Sequence, residues 1–240
     1  MPNELKNELQ TAVGEARGIL EDLQRLGLGE IYPDPGLILD STSDLIASGQ
    51  IGSENLIEIE AEVVSCRRCS LAAGSTKALF GVGHPDAQLV FVDGCPGPEE
   101  DHSGEPFAGA AGELLDRILN AMGLARSDVY LLYVVKCLSG NKQHPGTDEI
   151  TACAPFLIRQ IESICPEIIV TLGTFASQTL LQSDLPIAQM RGHWQQYRNI
   201  SLMPTLHPSD LLINPLGKRE VWDDMKQVIK RLRENQEGGC

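Results

Sequence analysis

The feature that most constrains this chain is a set of four short apolar runs, at residues 89–92, 129–135, 168–172 and 200–203. A continuous apolar run without alternation marks a strand buried on both faces. Segments with a helical period, at 111–122, 148–164, 174–181 and 218–233, fall between and after these runs. Such alternation predicts an α/β fold, a parallel sheet covered by helices on both faces. Sheets of this kind bind ligands beyond the carboxyl ends of their strands. The unusual loops all fall at that edge: 93–112 after the first run, 136–145 after the second and 205–212 after the fourth.

The first of these loops carries Asp93, Cys95, Glu99, Glu100, Asp101, His102 and Phe107 on a backbone dense in glycine and proline. Those residues lock a shape that side chains alone do not hold. Loops beyond about 12 residues are uncommon inside compact domains and tend to be functional. The G-x-G-x-x-G spacing and the lysine of a P-loop are both missing, so this is read as a binding loop rather than a phosphate cradle. After the fourth run, His207 precedes Pro208, which bars helix at the histidine and leaves it at the same edge.

Leu5, Leu9, Val13, Ala16, Leu20 and Leu23 share a helical face, which predicts an amphipathic helix within residues 1–30. Residues 31–53, rich in Pro, Gly, Ser and Asp, are expected to be a flexible linker, and residues 54–240 the main domain, opened by a helix at 55–65. No apolar run approaches the roughly 18 residues of a membrane span. Met1-Pro2-Asn3-Glu4 does not begin a secretory signal, so a cytoplasmic, monomeric protein without a membrane partner is expected. A net charge of −14 argues against nucleic acid as a partner, because phosphate contacts supply much of that affinity. Its distribution softens the objection: Lys136, Lys142, Arg191, Arg198, Lys218 and Arg219 all lie in the second part, where a local basic groove can form.

The seven cysteines are an odd number without a secretion signal, which favours ligands, nucleophiles or buried thiols over disulfides. Cys66 and Cys69 form a C-x-x-C pair, Cys137 follows the second run, and Cys153 lies in the first turns of the next helix. Four thiolates from separated segments suit zinc or an iron-sulfur cluster equally well, and spacing alone does not choose.

Taken together, the C-x-x-C, the P-G-x-E-E-D-x-x-G-x-P-F-x-G-x-A-G loop from Pro96 to Gly112, V-V-K-C ending at Cys137 and Ala152-Cys153 form one ordered set. M-R-G-x-W from Met190, M-P-T-x-H-P-S-x-L-L-x-N-P from Met203 and K-R-x-x-W from Lys218 extend it. In this order and spacing they resemble the iron-sulfur, thermostable-type uracil-DNA glycosylases of family four, over residues 66–232. The resemblance implies a three-layer α/β/α fold around a four-stranded parallel sheet, and a [4Fe-4S] cluster on Cys66, Cys69, Cys137 and Cys153. The implied partner is DNA containing a damaged base, which is flipped out and released by hydrolysis of its N-glycosidic bond. Matching positions make His207 the donor to the departing base, Phe107 its stacking partner and Asp101 a candidate for holding water. The Cys95-Pro96-Gly97 backbone would line the pocket, and Pro208, Ser209 and the leucines after them, Leu211 first, would press into the DNA. Lys142, Lys218 and Arg219 are candidate phosphate contacts.

The pattern breaks in two places. Where the family reads G-E-A-P-G this chain has Asp93-Gly94-Cys95-Pro96-Gly97, so the usual acid is replaced by Gly94 and an acid, Asp93, stands one residue earlier. One residue along a strand is a change of face, so Asp93 is expected to replace that acid only if the backbone shifts. Tyr133 stands where the family has an Asn that reads the base edge, and a phenol offers one contact and far more bulk. Three readings follow: a glycosylase of altered base specificity, a non-catalytic iron-sulfur protein that binds DNA or its lesions, and a hydrolase or transferase using Cys95 with His207.

Overall fold

A computed structural model describes residues 55–138 and 145–238, with side chains to residue 235. The expected N-terminal helix and linker lie outside the described residues, as do Lys142 and His144. In chain order the helices and strands are α1 (Leu56–Val64), α2 (Leu71–Gly74), β1 (Val82–Gly83), β2 (Leu89–Asp93), α3 (Pro98–Ser103) and α4 (Gly109–Met122). They continue with β3 (Tyr130–Tyr133), α5 (Thr147–Ile164), β4 (Ile168–Leu172), α6 (Gly173–Leu181) and α7 (Ile187–Met190). The chain then forms β5 (Gln195–Tyr197), β6 (Ile200–Thr205), α8 (Pro208–Ile213) and α9 (Lys218–Gly238).

Among the described residues the sheet has six strands in the order β1-β3-β2-β4-β6-β5. The four expected parallel strands form its middle, β3-β2-β4-β6. Two antiparallel edge strands are added, β1 on β3 and β5 on β6. These edges are two and three residues long and largely exposed, so they carry no apolar run to announce them. No described helix is long and apolar enough to cross a membrane.

Strand parity divides the core into two layers. Leu89, Phe91, Leu131, Tyr133, Ile168, Val170 and Met203 face one side, where Leu115 and Leu119 of α4 and Val221, Met225 and Val228 of α9 cover them. Val90, Val92, Leu132, Ile169 and Leu202 face the other, under Ile59 and Val63 of α1, Phe156 and Ile161 of α5 and Leu180 of α6. Helices on both faces make the three layers expected of the fold. The Asn55 side chain accepts from the Ile57 amide at 3.1 Å and so starts α1. Pro208 bars helix at His207 yet opens α8 itself, since the first helical position needs no amide hydrogen.

A buried ion pair joins α9 to the end of β6. Asp224, 1 % exposed, accepts from Arg191 Nη2 at 2.6 Å and from Thr205 Oγ1 at 2.6 Å. Arg191 also donates to the Glu220 carbonyl at 2.7 Å. A side chain at Gly192 would meet Asp224 Oδ1 at 2.9 Å, so the glycine of M-R-G lets the arginine's loop come this close. Thr205 stands two residues before His207, and the network therefore fixes the strand end that carries the histidine. Asp224→Ala strands Arg191 and is expected to cost about 3 kcal/mol. A urea titration should show the lower midpoint with an unchanged slope.

Candidate active site

The carboxyl ends of β2, β4 and β6 open onto a groove of about 740 Å³. Its walls include Asp93, Gly94, Cys95, Gly97, Glu100, Phe175, His207 and Ser209. Asp93 closes β2 and pairs in register with Tyr133, so both side chains emerge on the α4 face of the sheet. His207 arrives from the end of β6, held extended as the residue that caps α8. Its Nε2 lies 3.1 Å from Asp93 Oδ2. The Ser209 amide donates to Nδ1 at 3.1 Å, so the neutral ring carries its hydrogen on Nε2, aimed at Asp93. The other Asp93 oxygen accepts from the Gly94 amide at 2.6 Å.

Burial, the largest single influence, favours the neutral imidazole, but the negative charge and hydrogen bond of Asp93, with Asp210 and Glu100 behind it, outweigh burial and raise the His207 pKa. The charges that face His207 across the groove thus favour its protonated form. Glu100 lines the same wall, accepts from the Gly97 amide at 3.0 Å and has its own pKa raised by burial. Gly173 has φ of 80°, and a side chain there would lie 3.0 Å from His207 Cβ, so this turn needs glycine for both backbone and space.

Asp93 therefore reaches the histidine from the end of β2. Parity holds, but it sends Asp93 to the His207 side and turns Gly94 to the opposite one, where a Cβ would meet Phe175 Cδ1 at 2.6 Å. The ring of Phe175 fills the space that a side chain at Gly94 would take.

Asp101 is placed elsewhere. Its carboxylate accepts from the Thr76 amide at 2.8 Å, is buried, and ties the binding loop to the segment after α2. Phe107 is 5 % exposed and stacks on Tyr133 with ring centroids 4.8 Å apart and planes 19° from parallel. The Phe107 amide donates to the Tyr133 hydroxyl at 2.7 Å, and burial holds that phenol protonated. Phe107 has φ of 55°, its carbonyl accepts from Arg126 at 2.8 Å, and a side chain at Gly112 would collide with that carbonyl. The face expected to stack on a base is thus covered by the chain's own tyrosine. Pro96 is buried, while Cys95 and Gly97 line the groove.

Cys66, Cys69, Cys137 and Cys153 border one common cavity with Val63, Ala78, Val135 and Phe156. Burial pushes the Cys137 thiol up to about 11 and raises Cys153 as well, with the neighbouring cysteines adding to both shifts. Cys137 and Cys153 are buried and Cys66 and Cys69 half-buried, so four thiols from separated segments meet at this cavity. Lys136 is buried beside them, brought down to about 8 by burial, and its ammonium donates to the Tyr133 carbonyl.

Of the expected DNA contacts, Lys218 and Arg219 are exposed at the start of α9 and Ser209 is half-buried. Leu211 is 1 % exposed and packs in the core, and Pro208 is buried with it, so neither is available to DNA. The exposed apolar side chains of this segment are Leu212, Ile213 and Leu216, at 43, 85 and 86 %. The short helix α8 turns Leu211 inward and its successors outward.

The Uracil DNA glycosylase superfamily model matches residues 80–226. The chain belongs to this superfamily. Among its relatives is a type-4 uracil-DNA glycosylase of Thermotoga maritima, 41 % identical over 73 % of this chain and 94 % of the relative. Type-4 uracil-DNA glycosylases of Sulfurisphaera tokodaii and Archaeoglobus fulgidus are 39 and 38 % identical over 73 % of this chain, covering 84 and 92 % of their own lengths. Within the superfamily scaffold, the Asp93–His207 pair here joins the loop and the H-P-S segment directly.

The raised pKa of His207 gives that pair a defined pH window. Its stabilisation is present in full below the unfolded value of 6.5 and is lost as pH rises through the higher folded value. Asp93→Asn removes the main opposing charge and leaves burial dominant, so the His207 pKa is expected to fall from its wild-type value. NMR titration of the imidazole protons reads this directly.

Proposed function

We propose that this chain is a base-excision repair N-glycosidase, which hydrolyses the bond between deoxyribose and uracil, or another deaminated base, flipped out of DNA. The observation that carries the reading is the Asp93–His207 contact of 3.1 Å at the carboxyl edge of a superfamily scaffold. When the glycosidic bond breaks, its electron pair leaves with the base and positive charge grows on the sugar. A histidine donating its Nε2 hydrogen to the base and a carboxylate beside the sugar lower the barrier to this charge separation. His207 holds its proton throughout and supplies the hydrogen bond. Asp93 faces the sugar, orients the attacking water and takes the proton that the water sheds as it bonds to the anomeric carbon.

The cysteine quartet supports a [4Fe-4S] cluster. The donor set is all sulfur, drawn from separated segments around one cavity. Clusters distribute their thiolates over several irons. The cluster's part is structural, tying the segment after α1 to the loop after β3 at Cys137 and to the first turns of α5. DNA engagement rests on Lys218 and Arg219 for phosphates and on Ile213 and Leu216 as the apolar wedge in place of Leu211.

The testing experiment is base release from oligonucleotides carrying uracil, hypoxanthine or xanthine, single- and double-stranded, with alkali cleavage reporting abasic sites. Release is expected from at least one substrate and should fall about 100-fold in His207→Ala and Asp93→Asn. No release from any substrate, with DNA still bound, would replace this reading with a non-catalytic lesion-binding protein. A separate measurement checks the cofactor: anaerobically purified protein should contain iron and acid-labile sulfide in equal amounts. Cys137→Ser should lose the visible charge-transfer absorption and melt at lower temperature.

A further inference from the structure

The Phe107 ring is a platform that the chain itself already occupies. The ring of Tyr133 lies nearly parallel to it at 4.8 Å between centroids, and the Tyr133 hydroxyl accepts from the Phe107 amide at 2.7 Å. A flat six-membered ring whose oxygen accepts from a loop amide is also the outline of a pyrimidine with its carbonyl. Phe107 is 5 % exposed and Tyr133 not at all, so neither offers an open face.

Both rings are held from behind. The Lys136 ammonium donates to the Tyr133 carbonyl, and the Val134 and Val135 amides that follow donate to the Asp93 and Gly94 carbonyls at 2.8 and 3.0 Å. Arg126 donates to the carbonyls of Pro106 and Phe107 at 3.1 and 2.8 Å, and the loop sits so close on Gly112 that a side chain there would meet the Phe107 carbonyl. Swinging the phenol out would strand a buried amide donor and empty a ring-sized volume at once. The recess it fills adjoins the groove, because Asp93, the register partner of Tyr133, and Ala108, the residue after Phe107, both line the groove.

We infer that Tyr133 is a specificity-determining residue: its ring takes the place of a single-ring base on Phe107, which keeps the flipped base out of this recess and in the groove with Asp93 and His207. The inference rests on the glycosylase reading for the identity of the ligand, a flat deaminated base. It makes the Phe107 recess a latent site, shaped for one ring with one acceptor oxygen and opened by removing the phenol, as an emptied core volume takes a ligand of matching shape.

The test uses full-length, cluster-loaded protein and free bases, so that it reads the recess apart from chemistry. Saturating uracil should leave the melting temperature of the wild type unchanged and raise that of Tyr133→Ala by several degrees, with matching heat in calorimetry. Hypoxanthine, whose two fused rings exceed the volume of one phenol, should not bind the variant, and Tyr133→Phe, which keeps the ring, should stay closed to both bases. In a chain that retains Tyr133, Phe107→Leu should leave unchanged the affinity for a duplex carrying 2′-fluorinated deoxyuridine, whose glycosidic bond resists hydrolysis. Uracil binding by the wild type that depends on Phe107 overturns the inference, as does a folded Tyr133→Ala that binds no uracil or binds hypoxanthine equally well. If Tyr133→Ala does not fold, the duplex measurement decides alone: affinity lost in folded Phe107→Leu refutes the inference and affinity kept supports it. Absence of base release from every oligonucleotide would sink the glycosylase reading and leave the recess, read with free bases, standing.

Discussion

A strand with neighbours on both sides and helices on both faces has no place for a charged side chain until it ends. That constraint governs β2, the strand between β3 and β4, whose Leu89, Val90, Phe91 and Val92 are all at most 2 % exposed. Its first polar residue, Asp93, stands where the helices no longer cover the sheet. The same is true of β6, which is apolar or internally bonded until Thr205 and only then releases His207. Two strands that end at one level deliver an acid and a base to each other across the intervening end of β4. The groove is thus a consequence of where burial stops.

Holding that pair at hydrogen-bond distance needs a stiff frame, because a buried charge gains from its partner only at close range. The Arg191–Asp224–Thr205 network supplies one side by clamping the end of β6 to α9. The other side is the loop after β2, pinned through Asp101 to the Thr76 amide and through Phe107 to Arg126. These groups do no chemistry, and they account for much of what the motifs contain: the arginine and glycine of M-R-G, the threonine before the histidine, and the loop acid at Asp101.

The four central strands were legible because burial on both faces erases alternation and leaves short apolar runs, which alternate along the chain with longer segments of helical period. The edge strands at Val82 and Gln195 were not, since short exposed strands carry no such signal. At the site, His207 and the cysteine quartet could be found from residue type, order and resemblance. The Asp93 contact could not, because it depends on which face the last strand residue takes relative to a histidine 114 positions away. Nor could the Tyr133–Phe107 stack, which requires the left-handed backbone at Phe107. Phe175 carried no signal in its own segment, where its spacing reads as an ordinary helical core position. The available clue was Gly94, a glycine at a strand end where the family has a side chain, and it became informative only once its neighbour across the sheet was known.

The 2.6 Å approach at Gly94 also couples two positions. A side chain at residue 94 requires the phenyl ring to move, and shrinking the ring first leaves a hole beside the groove. The two sites are therefore bound by epistasis: each single step passes through a form that is crowded or hollow, and only the joint change connects two well-packed sequences.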